Sequence, residues 1–461
     1  LEFNPANKSY QLAATKGFRT FIKIANRSVY EAFHERGKKI QNSMIITPYS
    51  LKIREINTKD GLKTEVSYFI LPGEDFGALV RRVKVRNIGQ EKKQVEILDG
   101  LPEFIPYGIS NKAIKEVSNT TAAWIRAFNL DNKVPYFRLG ASAEDTAEVS
   151  EIREGHFYLA VCNDGVNTEL LTPLIDQELI FGYDTALENP DGFYNKVLAD
   201  YTGEQTCENH FMSAMEAVTK ELKPGREVKI DALYGRLPCQ EKTGELSTKA
   251  IQDGYFDRKE REVAEVHNYY LDRILTVSSS KEYNHYSRQT FLDNFLRGGL
   301  PVEINNNVYY IFSRKHGDLE RDYNYFYLEP GFYSQGNGNY RDVNQNRRCD
   351  NFLNRAVRDY NIRLFASLLQ PDGYNPLVIK GERFYLHKKR KEKILKLVNR
   401  KDRELMQNKL EKSFSIAELT KYINDFAIRL ECSIDDFIKY LYNSSHIHFS
   451  AEHGEGYWVD H

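Results

Sequence analysis

The sequence predicts an α+β multidomain protein: a large antiparallel β-sandwich, a helical connector, then a helical block. Three observations carry this. Residues 1–250 hold short Val/Ile/Tyr/Phe-rich runs, many alternating in polarity, with Gly, Asn, Asp or Pro between them. Near Asp253 the apolar spacing changes from period two to the helical period. Beyond Pro301 the apolar runs stay helical and are separated by long polar loops.

The strands are expected in FRTFIKIAN, YSLKIREINT, KTEVSYFIL, ALVRRVKVRN and KQVEILDGL, then in GHFYLAVCN, LTPLIDQELIFGY and REVKIDALYG. Lys59-Asp60-Gly61 between two of these runs is a hairpin signal. Leu1 already reads as strand, and 122–129 and 211–222 read as short helical insertions. Such a series fits a sandwich domain over 1–250. DRKEREVAEVHNYYLDRILTV places apolar residues at helical spacing with charges opposite, and SRQTFLDNFLRGG ends in a Gly-Gly stop. These form the connector, 251–300. In 301–461 helices are expected near 344–369, 390–399, 416–430 and 434–440, with no repeat.

The 461 residues suffice for two or three domains of roughly 150 residues each. Hydrophobic content of 41% and aromatic content of 13% supply their cores. A net charge of −1 leaves no global field to select nucleic acid or an anionic membrane. Cys162, Cys207, Cys239, Cys349 and Cys432 form no CxxC, so they read as neither a disulfide framework nor a zinc site and fit a reducing, cytoplasmic setting. No apolar run is long enough to span a membrane. The chain does not begin with Met, so the lack of a signal peptide carries no information. Both ends read as cut, and the expectation is a piece of a longer protein.

The segment 327–348, YLEPGFYSQGNGNYRDVNQNRR, packs aromatics, amides, glycines and an Arg-Asp pair without a clean apolar period. It reads as a loop entering a helix and carrying groups for a neutral polyol. Hydroxyls need paired donors and acceptors, and C–H faces need rings. Asp342 would accept sugar hydroxyls while Arg341 holds it. The plainer alternative is that Asp342 merely caps the helix. A second cluster, 452–461, joins Glu452, Glu455, Asp460, His453 and His461 to Trp458, giving a stacking platform beside a proton donor. A solvated loop is its plainer reading. Metal binding by His446, His448 and His453 is the weaker alternative to exposed histidines. The basic run 388–396 is interrupted by Glu392 and reads as a solvated helix face rather than a nucleic-acid site. GNGNY lacks the spacing and Lys of a nucleotide loop.

Two motifs in this order resemble the inverting β-glucan phosphorylases, cellobiose phosphorylase and its β-1,3- and β-1,2-oligoglucan relatives. NYRDVNQN (339–346) is similar to the family's G-Y-R-D-x-x-Q-D segment, and GYWVD (456–460) to its D-W-N-D segment. The resemblance covers nearly the whole chain. It implies that 301–461 is the first part of an (α/α)6 catalytic barrel. It places Asp342 on the hydroxyls of the non-reducing glucosyl unit, with Tyr340, Arg341 and Gln345 as neighbours, Trp458 lining the subsite, and Asp460 as general acid. The departures are Asn339 and Asn346 within the first motif, Tyr457 and Val459 within the second, and Ser334 and Gln335 where the family has an Arg. They point away from cellobiose phosphorylase itself and towards the oligoglucan enzymes, β-1,3 ahead of β-1,2.

The implied reaction is reversible phosphorolysis of β-linked gluco-oligosaccharides to α-glucose 1-phosphate. An inverting hydrolase needs an acid and a base, whereas phosphate is itself an anionic nucleophile, so one acid suffices. Inorganic phosphate is the co-substrate, and neither an organic cofactor nor a metal is expected. A homodimer is the candidate assembly. The family's phosphate-binding residues follow its general acid, so this chain by itself is expected to be inactive. The rival readings are phosphate-independent glycosyl transfer or hydrolysis, and glucan binding without catalysis.

Overall fold

A computed structural model describes residues 6–25, 28–141, 152–165, 167–312, 328 and 331–452. It mixes helices with antiparallel sheet in two compact units, one of Lys8–Asn268 and one of Leu1–Asn7 with Tyr269–His461.

In the first unit a five-stranded sheet has the order Pro173–Leu174, Met212–Leu222, Lys93–Phe104, Arg19–Ile24, Ser28–Glu31. A nine-stranded sheet runs Ile40–Ile46, Leu51–Asn57, Leu62–Ile70, Ala78–Asn87, Glu227–Leu237, Gly155–Asn163, Tyr136–Leu139, Ile125–Phe128, with Thr168–Leu170 added beside Gly155–Asn163. Alternation explains the shared core. Ile22, Val95 and Ile97 from the smaller sheet and Val83, Val85 and Tyr158 from the larger one are buried in a single cluster. The Lys59-Asp60-Gly61 signal does form a hairpin. Asn57 donates to Asp60 at 3.0 Å, Asp60 N–H returns a bond to Asn57 at 3.0 Å, and Gly61 takes φ +65°.

Charge is buried inside this unit. Arg81 is 2% exposed and donates twice to Asp99 (2.8 and 2.6 Å) and once to Thr20 (2.7 Å), tying the larger sheet to the smaller. Its remaining nitrogen donates to the Tyr68 hydroxyl. Arg82, on the next residue and the opposite face, pairs with Asp231, Asp257 and Glu260, each at 2.6 Å. Glu216 is fully buried and accepts from Tyr158 at 2.7 Å. Burial, and then the nearby Asp99 charge, push its carboxyl well above the usual range.

In the second unit helix Lys281–Gly298 closes at Gly299, φ +91°, whose N–H bonds Phe295 at 2.8 Å. A hairpin follows, Leu300–Ile304 with Asn307–Ile311. A three-stranded sheet joins Gly338–Asn339, Val378–Tyr385 and His446–Glu452. The helices are Tyr340–Arg347, Asp350–Leu353, Tyr360–Ser367, Lys388–Leu395, Arg403–Glu411, Ile416–Asp425 and Ile434–Ser444. Their main core gathers Tyr309, Phe384, Phe414, Leu419, Phe437 and Leu441. A Ser415/Glu418 capping box starts helix Ile416–Asp425.

Several expectations are corrected. Within 211–222 the chain forms strand Met212–Leu222, and its polarity does not alternate because every residue of Met212–Val218 is buried. Residues 122–129 end one helix and begin strand Ile125–Phe128. Leu1, read as strand, lies outside the described residues, and the first described element is helix Ala6–Lys16. The single helix expected over 344–369 breaks into three, where the Asn354 side chain accepts from Ala356 N–H at 3.1 Å and Arg358 takes φ +45°. The helical block also contains strands the sequence reading missed. Val378–Tyr385 hides its alternation behind a register shift between Ile379 and Glu382, at Gly381. Among the described residues no helix is long and apolar enough to cross a membrane, and the five cysteines are unbridged.

Asp99→Ala should destabilise the chain by about 3–5 kcal/mol in urea unfolding, because it leaves Arg81 buried without its partner. Glu216 has the opposite sign of pH dependence from a salt-bridged acid. Its raised carboxyl stabilises the fold when neutral, and that contribution is lost as pH climbs from the ordinary glutamate range. Glu216→Gln should therefore gain stability over the wild type at pH 8 relative to pH 5.

Candidate functional site

Helix Tyr340–Arg347 opens directly after strand Gly338–Asn339, which pairs through Gly338↔Ile379 and Asn339↔Val378. The sheet therefore fixes where the helix begins. Asn339 stands at the N-cap without a side-chain capping bond. Asp342 is not the cap but the third residue of the first turn, where the helix dipole favours a carboxylate. It is 5% exposed. Its Oδ1 accepts from Arg341 Nε at 3.2 Å and its Oδ2 from Asn339 Nδ2 at 3.3 Å.

The helix separates the other expected residues. Arg341 and Gln345, four apart, lie together on its exposed face. Tyr340 is turned into a small apolar cluster with Val343, Leu364, Phe365 and Ile379, and its hydroxyl donates to the Phe365 carbonyl at 2.8 Å. Trp458 and Asp460 lie outside the described residues, as do Glu455 and His453. His446 packs its ring against His387 at 4.6 Å, and among the described residues no group of three or more His, Cys, Asp or Glu is placed to hold a metal. The basic run forms helix Lys388–Leu395, which buries Ile394 and pairs Lys391 with Glu411 at 3.2 Å.

A second polar site was not foreseen from the sequence. A cleft opens between the 335–338 loop, helices Tyr340–Arg347 and Tyr360–Ser367, and the bulged strand at 379–382. Arg347, Tyr360, Lys380, Glu382, Gln335 and Phe449 line it. About 20 Å³ is open to the centres of water-sized molecules, enough for one or two waters or a compact ion and too little for a sugar ring. Asp342 and Arg347 stand about 140° apart around the helix, so they face different sides.

Gln335 braces this cleft. Its Nε2 donates to the Tyr310 carbonyl at 2.8 Å and its Oε1 accepts from Glu382 N–H at 2.6 Å. That approach requires glycine next door, since a Cβ on Gly381 would stand 2.6 Å from Gln335 Oε1. Glu382 is 2% exposed and takes hydroxyl bonds from Tyr360 and from Tyr442, the latter at 3.2 Å. Burial pushes its carboxyl up to about 7, with the two tyrosines and Arg347 opposing the shift. Asp350, bonded by the Tyr310 hydroxyl at 2.7 Å, is pushed by burial to about 6. The same burial raises the phenols of Tyr310, Tyr360 and Tyr442.

Arg347 is 7% exposed. Its Nε donates to the Gly298 carbonyl at 2.5 Å and its guanidinium stacks 3.7 Å from the centre of the Tyr310 ring. Among the described residues no acceptor takes a bond from its two terminal nitrogens. Ser334 Oγ, Asn337 Oδ1, Asn346 Nδ2 and Asn361 Oδ1 are likewise buried without a partner among the described residues. The only sequence signal for this site was the unexplained Arg347-Arg348 pair and the Gly within VIKGERFY.

No family model matches the sequence, and no curated protein matches it. Among solved structures it is similar to a protein described as a kojibiose phosphorylase, from the human microbiome, at 8% identity and a TM-score of 0.27, covering 61% of this chain and 28% of that one. It is similar to a bacterial glucoamylase complexed with acarbose at 10% identity and a TM-score of 0.39, covering 79% and 46%. A protein described as an aldose 1-epimerase, from Klebsiella pneumoniae, gives 10% identity and a TM-score of 0.20, covering 54% and 66%. The chain spans less than half the length of the first two. Likeness this loose does not establish a shared fold.

Glu382 makes stability depend on pH near neutrality. Its raised carboxyl favours the folded chain when neutral, fully so below the ordinary glutamate value, and this is lost as pH rises through about 7. The loss amounts to about 3 kcal/mol. Urea unfolding between pH 5 and pH 8 should show the fall in the wild type and a smaller one in Glu382→Gln.

Proposed function

We propose that this chain belongs to a carbohydrate-active enzyme that reversibly phosphorolyses β-linked gluco-oligosaccharides with inversion, releasing α-glucose 1-phosphate, with β-1,3 linkages ahead of β-1,2. The observation that carries this reading is the Asp342 carboxylate. It is buried at the start of a helix, held by Arg341 and Asn339, in the segment whose sequence resembles the sugar-binding motif of the inverting β-glucan phosphorylases. A buried, oriented carboxylate is a strong acceptor for hydroxyls, and an ordinary surface ion pair needs neither the burial nor the second amide bond.

In this reading Asp342 accepts hydroxyls of the glucosyl unit whose bond is broken. Arg341 keeps the carboxylate aligned. Gln345, on the same exposed face as Arg341, offers an amide to the ligand. Tyr340 acts through position only, since its hydroxyl is held by Phe365. Trp458 stacks on the ring. Asp460 donates a proton to the glycosidic oxygen while phosphate attacks C1 from the opposite face, and the C1–O bond to the leaving sugar breaks as the bond to phosphate forms.

The test incubates the full-length gene product with α-glucose 1-phosphate and, separately, glucose, cellobiose, laminaribiose or sophorose, following phosphate release. Release with one acceptor is expected and names the linkage. A folded protein that releases none with any acceptor refutes phosphorolysis. Asp460→Asn should lower turnover by roughly 100- to 10,000-fold, the range for loss of a general acid. Asp342→Asn should lower kcat/KM by at least about tenfold, as expected for losing a charged hydrogen bond to a hydroxyl.

A further inference from the structure

We propose that the cleft around Arg347 is a binding site for a small tetrahedral oxyanion, inorganic phosphate or the phosphoryl group of a phosphate monoester. This assignment goes beyond the proposed reaction and does not rest on it.

The argument starts from the cost of burying a guanidinium. A buried Arg is normally satisfied by a carboxylate, and the other three buried arginines among the described residues are, with Arg19 on Glu31, Arg81 on Asp99 and Arg82 on Asp231. Arg347 is treated differently. One nitrogen is spent on the Gly298 carbonyl, the guanidinium lies over Tyr310, the two terminal nitrogens have no acceptor among the described residues, and the residue lines a cleft. The stacked ring holds the guanidinium in one orientation, so its two remaining N–H edges present a fixed fork. That fork matches two oxygens of an oxyanion.

The rest of the cleft agrees in charge and size. Lys380 also lines the cleft. The acid in the lining, Glu382, points both oxygens at tyrosine hydroxyls and makes no ion pair with Arg347 among the described residues. The free space suits a compact ion and excludes a pyranose. Gly336, Gly338 and Gly381 are also part of the lining. Around Glu382 stand Tyr360, Tyr442, Arg347 and Lys380, with Asp350 and Tyr310 on the far side of Arg347. Ionisation of either acid would bring negative charge towards the bound anion, so binding should weaken as pH rises.

Isothermal titration of the whole chain with inorganic phosphate, glycerol phosphate and sulfate tests the site. Saturable binding of phosphate and sulfate is expected, and glycerol phosphate separates the two sources. Binding of the ester assigns a pendant phosphoryl group, and binding of inorganic phosphate alone assigns the free ion. Arg347→Gln should weaken binding by roughly 10- to 100-fold, the loss expected for a charge-assisted pair. Undiminished binding by that variant overturns the proposal, as does an absence of binding by the wild type. Should Arg347→Gln fail to fold, sulfate, which does not titrate here, decides on the wild type. Its affinity should fall several-fold between pH 6 and pH 8.5, and fall less in Glu382→Gln. A flat profile in the wild type overturns the site. An Arg347→Gln enzyme that loses anion binding but keeps turnover would separate this site from the reaction, and absence of turnover would leave the titration result standing.

Discussion

A buried guanidinium must be solvated by something, and how each one is solvated organises this protein. Three of the buried arginines answer the same requirement differently. Arg81 forms a bidentate pair with Asp99 between two sheets, and both partners are almost fully buried. Arg82, one residue on and facing the other way, is neutralised by Asp231 on a neighbouring strand and by Asp257 and Glu260 from helix Tyr255–Leu271. Arg347 has an aromatic face, one carbonyl and an open cleft. The first two arrangements lock elements to each other. The third leaves hydrogen-bonding capacity for something outside the chain.

The acids follow the same logic in reverse. Glu216 and Glu382 are buried with tyrosine hydroxyls rather than cations as their hydrogen-bond partners, and burial raises both. A neutral carboxyl surrounded by phenols is compatible with a dry interior, where a carboxylate would not be. In the second unit this matters locally. A neutral Glu382 leaves the cleft positive because it does not cancel Arg347.

Helix Tyr340–Arg347 serves two sites because of its period. Asp342, at its first turn, is held by Asn339 and Arg341. Arg347, at its last, faces another side. The strand pairing Gly338↔Ile379 sets the start of the helix, and Gln335 ties that loop to the bulge at Gly381 and Glu382. One short sheet thus fixes the orientation of both polar groups. The apolar cluster of Tyr340, Val343, Leu364 and Ile379 seats the helix between them.

The sequence by itself determined the change from period-two runs to helical ones near Asp253, the hairpin at Lys59-Asp60-Gly61, the two helices of the connector and the concentration of polar groups in 327–348. These are local properties, written in spacing and in turn residues, and they need no knowledge of neighbours. The sequence also singled out Asp342, because an acid among amides and glycines lacks a packing explanation. It could not decide whether 211–222 was helix or strand, since a fully covered strand loses its alternation. It read the 378–385 run as loop because the bulge at Gly381 breaks the register. Nor could it separate Arg341 and Gln345, on an exposed face, from Asp342 and Arg347, which are buried. That sorting depends on which side of a helix meets a sheet. The placement of Arg347 above Tyr310 arises from residues 37 positions apart, brought together only when the strands and helices pack.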